Sequence, residues 1–156
     1  MLIRLHVEHI IRAPPAAVFA LALDPQRFPA TFTGFGPIPA IRSITLTGPV
    51  AVGGTRLLEN SDGSRLTERI TRLDAPNRHA YTLRGIRPPL SWLAQQGDAD
   101  WTFTAVAAGT HVSWDYVMTL ASPLAWPLAW PVLRGFMRGA MQRCLLAMAR
   151  ALERPA

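Results

Sequence analysis

The chain has 156 residues, 49% of them hydrophobic and 17% charged, which suits one domain (1–156) with a sizeable core and excludes intrinsic disorder. Its formal net charge is +6, and all sixteen basic residues are arginine, a bias that fits a GC-rich bacterial genome. The arginines are scattered without aromatic interleaving, so no nucleic-acid partner is expected, and the single cysteine, Cys144, excludes an intramolecular disulfide.

The elements follow in chain order. Residues 2–12 alternate as a strand, with Ile3, Leu5, Val7, His9 and Ile11 on one face and Arg4, His6, Glu8 and Arg12 on the other. Because this start alternates rather than forming an apolar block, a cytoplasmic location is expected. Ala13-Pro14-Pro15 ends the strand, and proline at a helix start introduces a short helix over 16–23. Asp24 can cap a second short helical turn from Pro25 to about Pro29. A Gly- and Pro-containing loop covers 30–37, and strands are expected over 38–47, 55–60, 64–73 and 79–86, with Asp62-Gly63 as a hairpin signal. A connection over 87–97 carries Pro88, Pro89, Trp92 and Leu93. The clearest hairpin pairs 99–107 with 110–120 across Ala108-Gly109. Consecutive strands with short turns make an antiparallel sheet.

The C-terminal stretch organises the rest. Pro-Leu-Ala-Trp occurs at 123–126 and again at 127–130, and is closed by Pro131. The uncharged run from Tyr116 to Leu133 approaches the length of a membrane span, but its three prolines argue against one, so strand, irregular connection and helix are expected in turn. From Val132 to Arg154 the chain is free of proline, and helical periodicity puts Leu133, Met137, Ala140, Met141, Cys144, Leu145, Met148 and Leu152 on one stripe. This is the one helix long enough to cover the sheet. Cys144 on that stripe reads as a small buried hydrophobe.

Several phrases carry a resemblance across almost the whole chain: Ile11 to Phe19 with Asp24-Pro25, Asp62-Gly63, Glu68-Arg69-Ile70 with Asp74-Ala75-Pro76, Trp101-Thr102-Phe103, Gly109-Thr110 and Phe136-Met137. With the order of elements, they resemble the SRPBCC superfamily of START domains, birch-pollen allergens and polyketide cyclases, specifically its polyketide cyclase/dehydratase-like branch. The resemblance implies an α+β helix-grip fold: a seven-stranded antiparallel sheet around a long C-terminal helix, with two short helices after the first strand. It implies a cavity for a small hydrophobic ligand between sheet and helix, and no particular reaction. The Pro-Leu-Ala-Trp repeat lies outside the family pattern.

Chemistry-bearing residues are few. No GxGxxG, Walker, HExxH, CxxC or GxSxG pattern occurs, and His6, His9, His79 and His111 lack ligand spacing, so neither metal nor cofactor is expected. Glu68 shares a strand face with Leu66 and Ile70; facing a cavity, it needs an arginine such as Arg56 or Arg84, or serves as an acid–base group. Arg42 shares a face with Ala40, Ile44 and Leu46 and poses the same question. His9 is the other weak acid–base candidate. The expected lining is Trp101, Phe103, Val112, Trp114, Tyr116, Met118, Met137, Met141 and Met148, with Glu68 and Tyr81. The expected function is binding, with transport as an extension, of a small hydrophobic molecule. The alternatives are a cyclase or dehydratase on a polyketide-like or aromatic substrate, and an interaction module in which the Trp-rich repeat touches a protein or, transiently, a membrane.

Overall fold

Alternation of inward and outward side chains, interrupted at a few bulges, makes seven strands, which the computed structural model shows in one antiparallel sheet; it describes residues 1–153. They are β1 (Leu2–Ile11), β2 (Ile41–Leu46), β3 (Thr55–Asn60), β4 (Arg65–Asp74), β5 (Arg78–Arg84), β6 (Ala94–Val106) and β7 (Gly109–Leu120). Their spatial order is β1-β7-β6-β5-β4-β3-β2. Thus β1 and β2, consecutive in the chain, form opposite edges. Helix α1 (Pro15–Leu23) and a 3-10 turn (Phe28–Thr31) carry the chain between them. Asp24 caps that turn's approach, its Oδ1 accepting from the amides of Gln26 at 2.8 Å and Arg27 at 3.2 Å.

The seven-stranded sheet and long C-terminal helix have the expected helix-grip form. Three details differ. First, β6 begins at Ala94 and the expected connection shortens; a register shift between Ala94 and Gln96 breaks the alternation that would have revealed the strand. Second, β2 pairs with β3 through a shift between Ile41 and Ser43, which leaves Arg42 as the extra residue. That bulge turns Arg42 away from the concave face; it lies exposed, 3.7 Å from Glu59. Third, helical structure starts at Pro123, not after Pro131. A 3-10 turn (Pro123–Ala125) leads into α2 (Trp126–Val132), a π turn (Leu133–Met137) and α3 (Arg138–Glu153).

The prolines fit this helix because its ladder adapts to them. Ser122 Oγ accepts from the Leu124 amide at 3.2 Å, and Pro123 and Pro127 stand at the starts of their segments, where a missing N–H is tolerated. Pro131 lies inside α2, and the π turn follows directly. Arg154, the expected helix end, lies outside the described residues.

The core is densest where β6, β7 and β1 meet α1 and α3. Cross-strand partners Trp101 and Trp114 stack at 4.0 Å between ring centroids. Phe19 of α1 meets Phe103 edge-on at 5.5 Å, and Phe28 meets Trp101 at 6.1 Å. Ile11, Val112, Met141, Leu145 and Met148 are fully buried among them. Cys144 is buried there too, its Sγ 3.6 Å from the Thr31 hydroxyl, and burial pushes its thiol up to about 12.

Candidate functional site

The inward face of β6 runs from small to large: Ala94, Gly97, Ala99, Trp101, Phe103, all buried. The large end is filled, as described above. At the small end, Gly97 and Ala99 leave room over the strand for the Tyr116 ring of β7; a Cβ at Gly97 would stand 2.4 Å from that ring. Space remains above it, and the result is a cavity of about 130 Å³ between β2–β5, the loop after the 3-10 turn and the C-terminal helix.

Each wall follows from its strand's alternation. Strands β3 to β5 supply Leu58, Leu66 and Leu83 with Asn60, Glu68 and Tyr81. Trp114, Tyr116 and Met118 form the β7 wall, and Phe28, Phe32, Ile38 and Ile41 close the side toward α1. The C-terminal helix contributes only Leu133 and Met137, the two ends of the π turn. The rim combines Pro37 and Pro39, Asp62 and Ser64 of the β3–β4 turn, and the β5–β6 connection at Ile86, Arg87, Pro88, Pro89 and Leu90.

The cavity's polar groups are almost spent on each other. Glu68 and Arg56, cross-strand partners on β4 and β3, are 2% and 3% exposed. Arg56 Nε donates to Glu68 Oε1 at 2.9 Å, Nη2 donates to the same oxygen, and Nη1 reaches the Leu23 carbonyl at 3.3 Å. The guanidinium therefore joins the sheet to the C-terminal end of α1, where carbonyls attract positive charge. Burial pushes the Glu68 carboxyl up, and the attraction of Arg56 opposes this without overcoming it. Burial also pushes the Tyr81 and Tyr116 phenols up, so both are neutral donors at any physiological pH. His79, beside Tyr81 with ring centroids 5.1 Å apart, is buried with neither ring nitrogen hydrogen-bonded. Burial, then nearby Arg56, lowers it to about 3, so it is neutral as well. The indole N–H of Trp114, in the cavity wall, has no partner.

Of the residues expected to line the cavity, Glu68, Tyr81, Trp114, Tyr116, Met118 and Met137 do so. Trp101, Phe103 and Val112 do not; they lie further along the same strands, under α1, where Phe19 and Phe28 fill the space. Met141 and Met148 do not either, because α3 packs on β1 and the 3-10 turn, and their face of the helix meets side chains. His9 sits half-buried opposite Val112 on edge strand β1, away from the cavity. The rim residues 86–90 and the wall from Phe28 to Ile41 are additions to the expected set. The sequence signal that could have placed the cavity at their end of the sheet is the small-to-large order on β6. Among the described residues no group of histidine, cysteine and acidic side chains has the arrangement of a metal site, and no helix is long and apolar enough to cross a membrane.

The sequence profile of a family described as polyketide cyclase / dehydrase and lipid transport matches residues 3–153. No curated protein sequence matches the chain. Among solved structures, Ara h 8.0201 superposes with a TM-score of 0.73 at 16% identity, over 98% of this chain and 99% of that one. Protein TTHA0849 from Thermus thermophilus gives 0.74 at 17%, over 97% of both chains. The di-domain ARO/CYC BexL from the BE-7585A biosynthetic pathway gives 0.74 at 14%, over 99% of this chain and 51% of that one. At these identities the likeness is one of fold.

Proposed function

Because this chain belongs to the polyketide cyclase / dehydrase and lipid transport family, we propose that its cavity binds a small, largely apolar molecule with one uncharged hydrogen-bonding end, and carries it without converting it. The observation that carries this reading is the closed Glu68–Arg56 pair: the two charges satisfy each other, and what remains in the wall is apolar surface, two neutral phenols, one unpaired indole N–H and Asn60, whose amide donates to the Ser64 hydroxyl. Below the rim, where Asp62 and Arg87 stand exposed to water, a charged ligand would find no free counter-charge. A ligand with a carbonyl or hydroxyl end finds donors at Trp114, Tyr81 and Tyr116. The cavity's 130 Å³ resembles the roughly 150 Å³ engineered cavity that holds benzene, so one ring fits as the cavity stands. A larger ligand requires the rim to part.

Native mass spectrometry of the protein from its own host would test this directly. The expected result is a co-purifying neutral molecule, and its loss in a Leu66→Trp variant that fills the cavity. A charged ligand, or one retained in that variant, would refute the reading.

A second reading, a cyclase or dehydratase step on an aromatic or polyketide-like substrate, draws on one observation: burial pushes the cavity-facing Glu68 carboxyl up, as an acid catalyst requires. Glu68→Gln separates the two readings. Unchanged ligand affinity with abolished turnover supports the enzyme; loss of stability, with no turnover in either protein, supports the carrier.

A further inference from the structure

Going beyond ligand binding, we infer that the outward face of the Pro-Leu-Ala-Trp helix start is a docking surface for a bilayer containing anionic phospholipid. The face is unusually apolar for one turned to water. Leu124 is 90% exposed and Leu128 62%, one helical turn apart, while Trp126 and Trp130 are 42% and 43% exposed. Isolated exposed apolar residues are ordinary, but here two pairs one turn apart, Leu124 with Leu128 and Trp126 with Trp130, adjoin the exposed Pro127 and Pro131, and Ala129 is the residue of this segment turned into the core. Trp92, 70% exposed, belongs to the neighbouring β5–β6 connection; the Ala121 amide donates to the Leu93 carbonyl at 3.1 Å and ties that connection to the helix start.

Charge selects the occupant. Between Asp115 and Glu153 the sequence has four arginines and no acid. Arg134 lies over the Trp130 ring, 5.2 Å from its centroid, and Arg138 is exposed one turn further on. Leucines flanked by indoles and then by arginines match the layers of a membrane surface: acyl chain, interfacial carbonyl and anionic phosphate. Since no helix in the described residues has the length and hydropathy of a span, the segment would lie along the interface. The same connection that carries Trp92 supplies Ile86 to Leu90 to the cavity rim, so docking brings the rim to the lipid surface.

The test uses the full chain with vesicles of phosphatidylcholine, with or without phosphatidylglycerol. Wild type should sediment with the phosphatidylglycerol vesicles and release as salt rises. Leu124→Ser/Leu128→Ser should weaken this by about tenfold or more, given the apolar area withdrawn from lipid. Arg134→Gln should weaken it about fivefold, the loss expected for one arginine near an anionic surface. Both variants change exposed side chains, so an unaltered urea midpoint verifies their folding. Equal sedimentation of wild type and the leucine variant, or none by either, overturns the proposal. So does a vesicle-independent dimer that the leucine variant abolishes, because the face would then serve a second copy of the chain.

Discussion

The two ends of strand β6 obey the same alternation and produce opposite results. At one end Trp101 and Phe103 meet Trp114, Phe28 and Phe19, and no space is left. At the other, Gly97 and Ala99 face inward, and a cavity opens beside Tyr116. Burial is equally complete at both ends, so exposure alone does not distinguish a packed wall from a cavity wall. The difference is side-chain volume at fixed strand spacing. Stability should therefore reside at the large end and ligand contact at the small one.

Truncations break this comparison most forcefully. Phe103→Ala should cost about 3–5 kcal/mol, since a large side chain is removed from a site that cannot collapse. Leu66→Ala, beside space that already exists, should cost about 1 kcal/mol or less, because few contacts are lost. Urea denaturation of both variants measures the contrast; equal losses would mean that the small end is as tightly packed as the large one.

Next in size is the charge pair between the ends. Arg56→Met strands the Glu68 carboxylate and should cost about 3 kcal/mol, whereas Arg56→Met with Glu68→Leu should recover most of it. Failure of the double variant to recover would assign Arg56 a further role, and its bond to the Leu23 carbonyl is the evident one.

His79 gives a smaller, pH-dependent effect. Its folded value of about 3 lies below its ordinary 6.5, so its neutral form contributes fully above 6.5. As pH falls below that, the unfolded chain binds a proton that the folded chain refuses, and stability declines by up to about 1.4 kcal/mol per pH unit toward pH 3. Glu68, shifted upward, acts with the opposite sign above its ordinary range, losing stability as pH rises. Comparing wild type with His79→Phe isolates the histidine: the variant's acid slope should be shallower, and identical slopes would show that His79 has solvent access.

Much of the fold was legible in the sequence, because alternation and turn residues act locally. That Glu68 needs an arginine on a neighbouring strand was legible as well, once Leu66 and Ile70 face inward; that it is Arg56 and not Arg84 depends on the strand register, which leaves Arg84 bonded to Gln96. Arg42 was not, because a single bulge residue reverses facing, and no composition signal marks it. The early helix start was hidden for a different reason. Prolines spaced by four argue against a regular α-helix, whereas the chain uses a 3-10 turn and a π turn around them. Trp101 and Met148 have the same periodicity as Tyr116 and Met137; their distance from the cavity depends on where α1 crosses the sheet, which is a long-range property.

The π turn also bears on how the cavity yields. Leu133 and Met137, which the C-terminal helix contributes to its wall, stand at the two ends of that turn. A π turn holds its backbone less firmly than the α-helix that follows, and its carbonyls can exchange between amides four and five residues on. The wall is therefore compliant at one place, while α3 beyond it stays stiff against β1. A guest larger than the resting space would press on that segment and shift its hydrogen-bond partners before it disturbed the packed end. Amide hydrogen exchange should record this as faster exchange over 135–139 than over 141–149, and the gap should narrow when the cavity is filled.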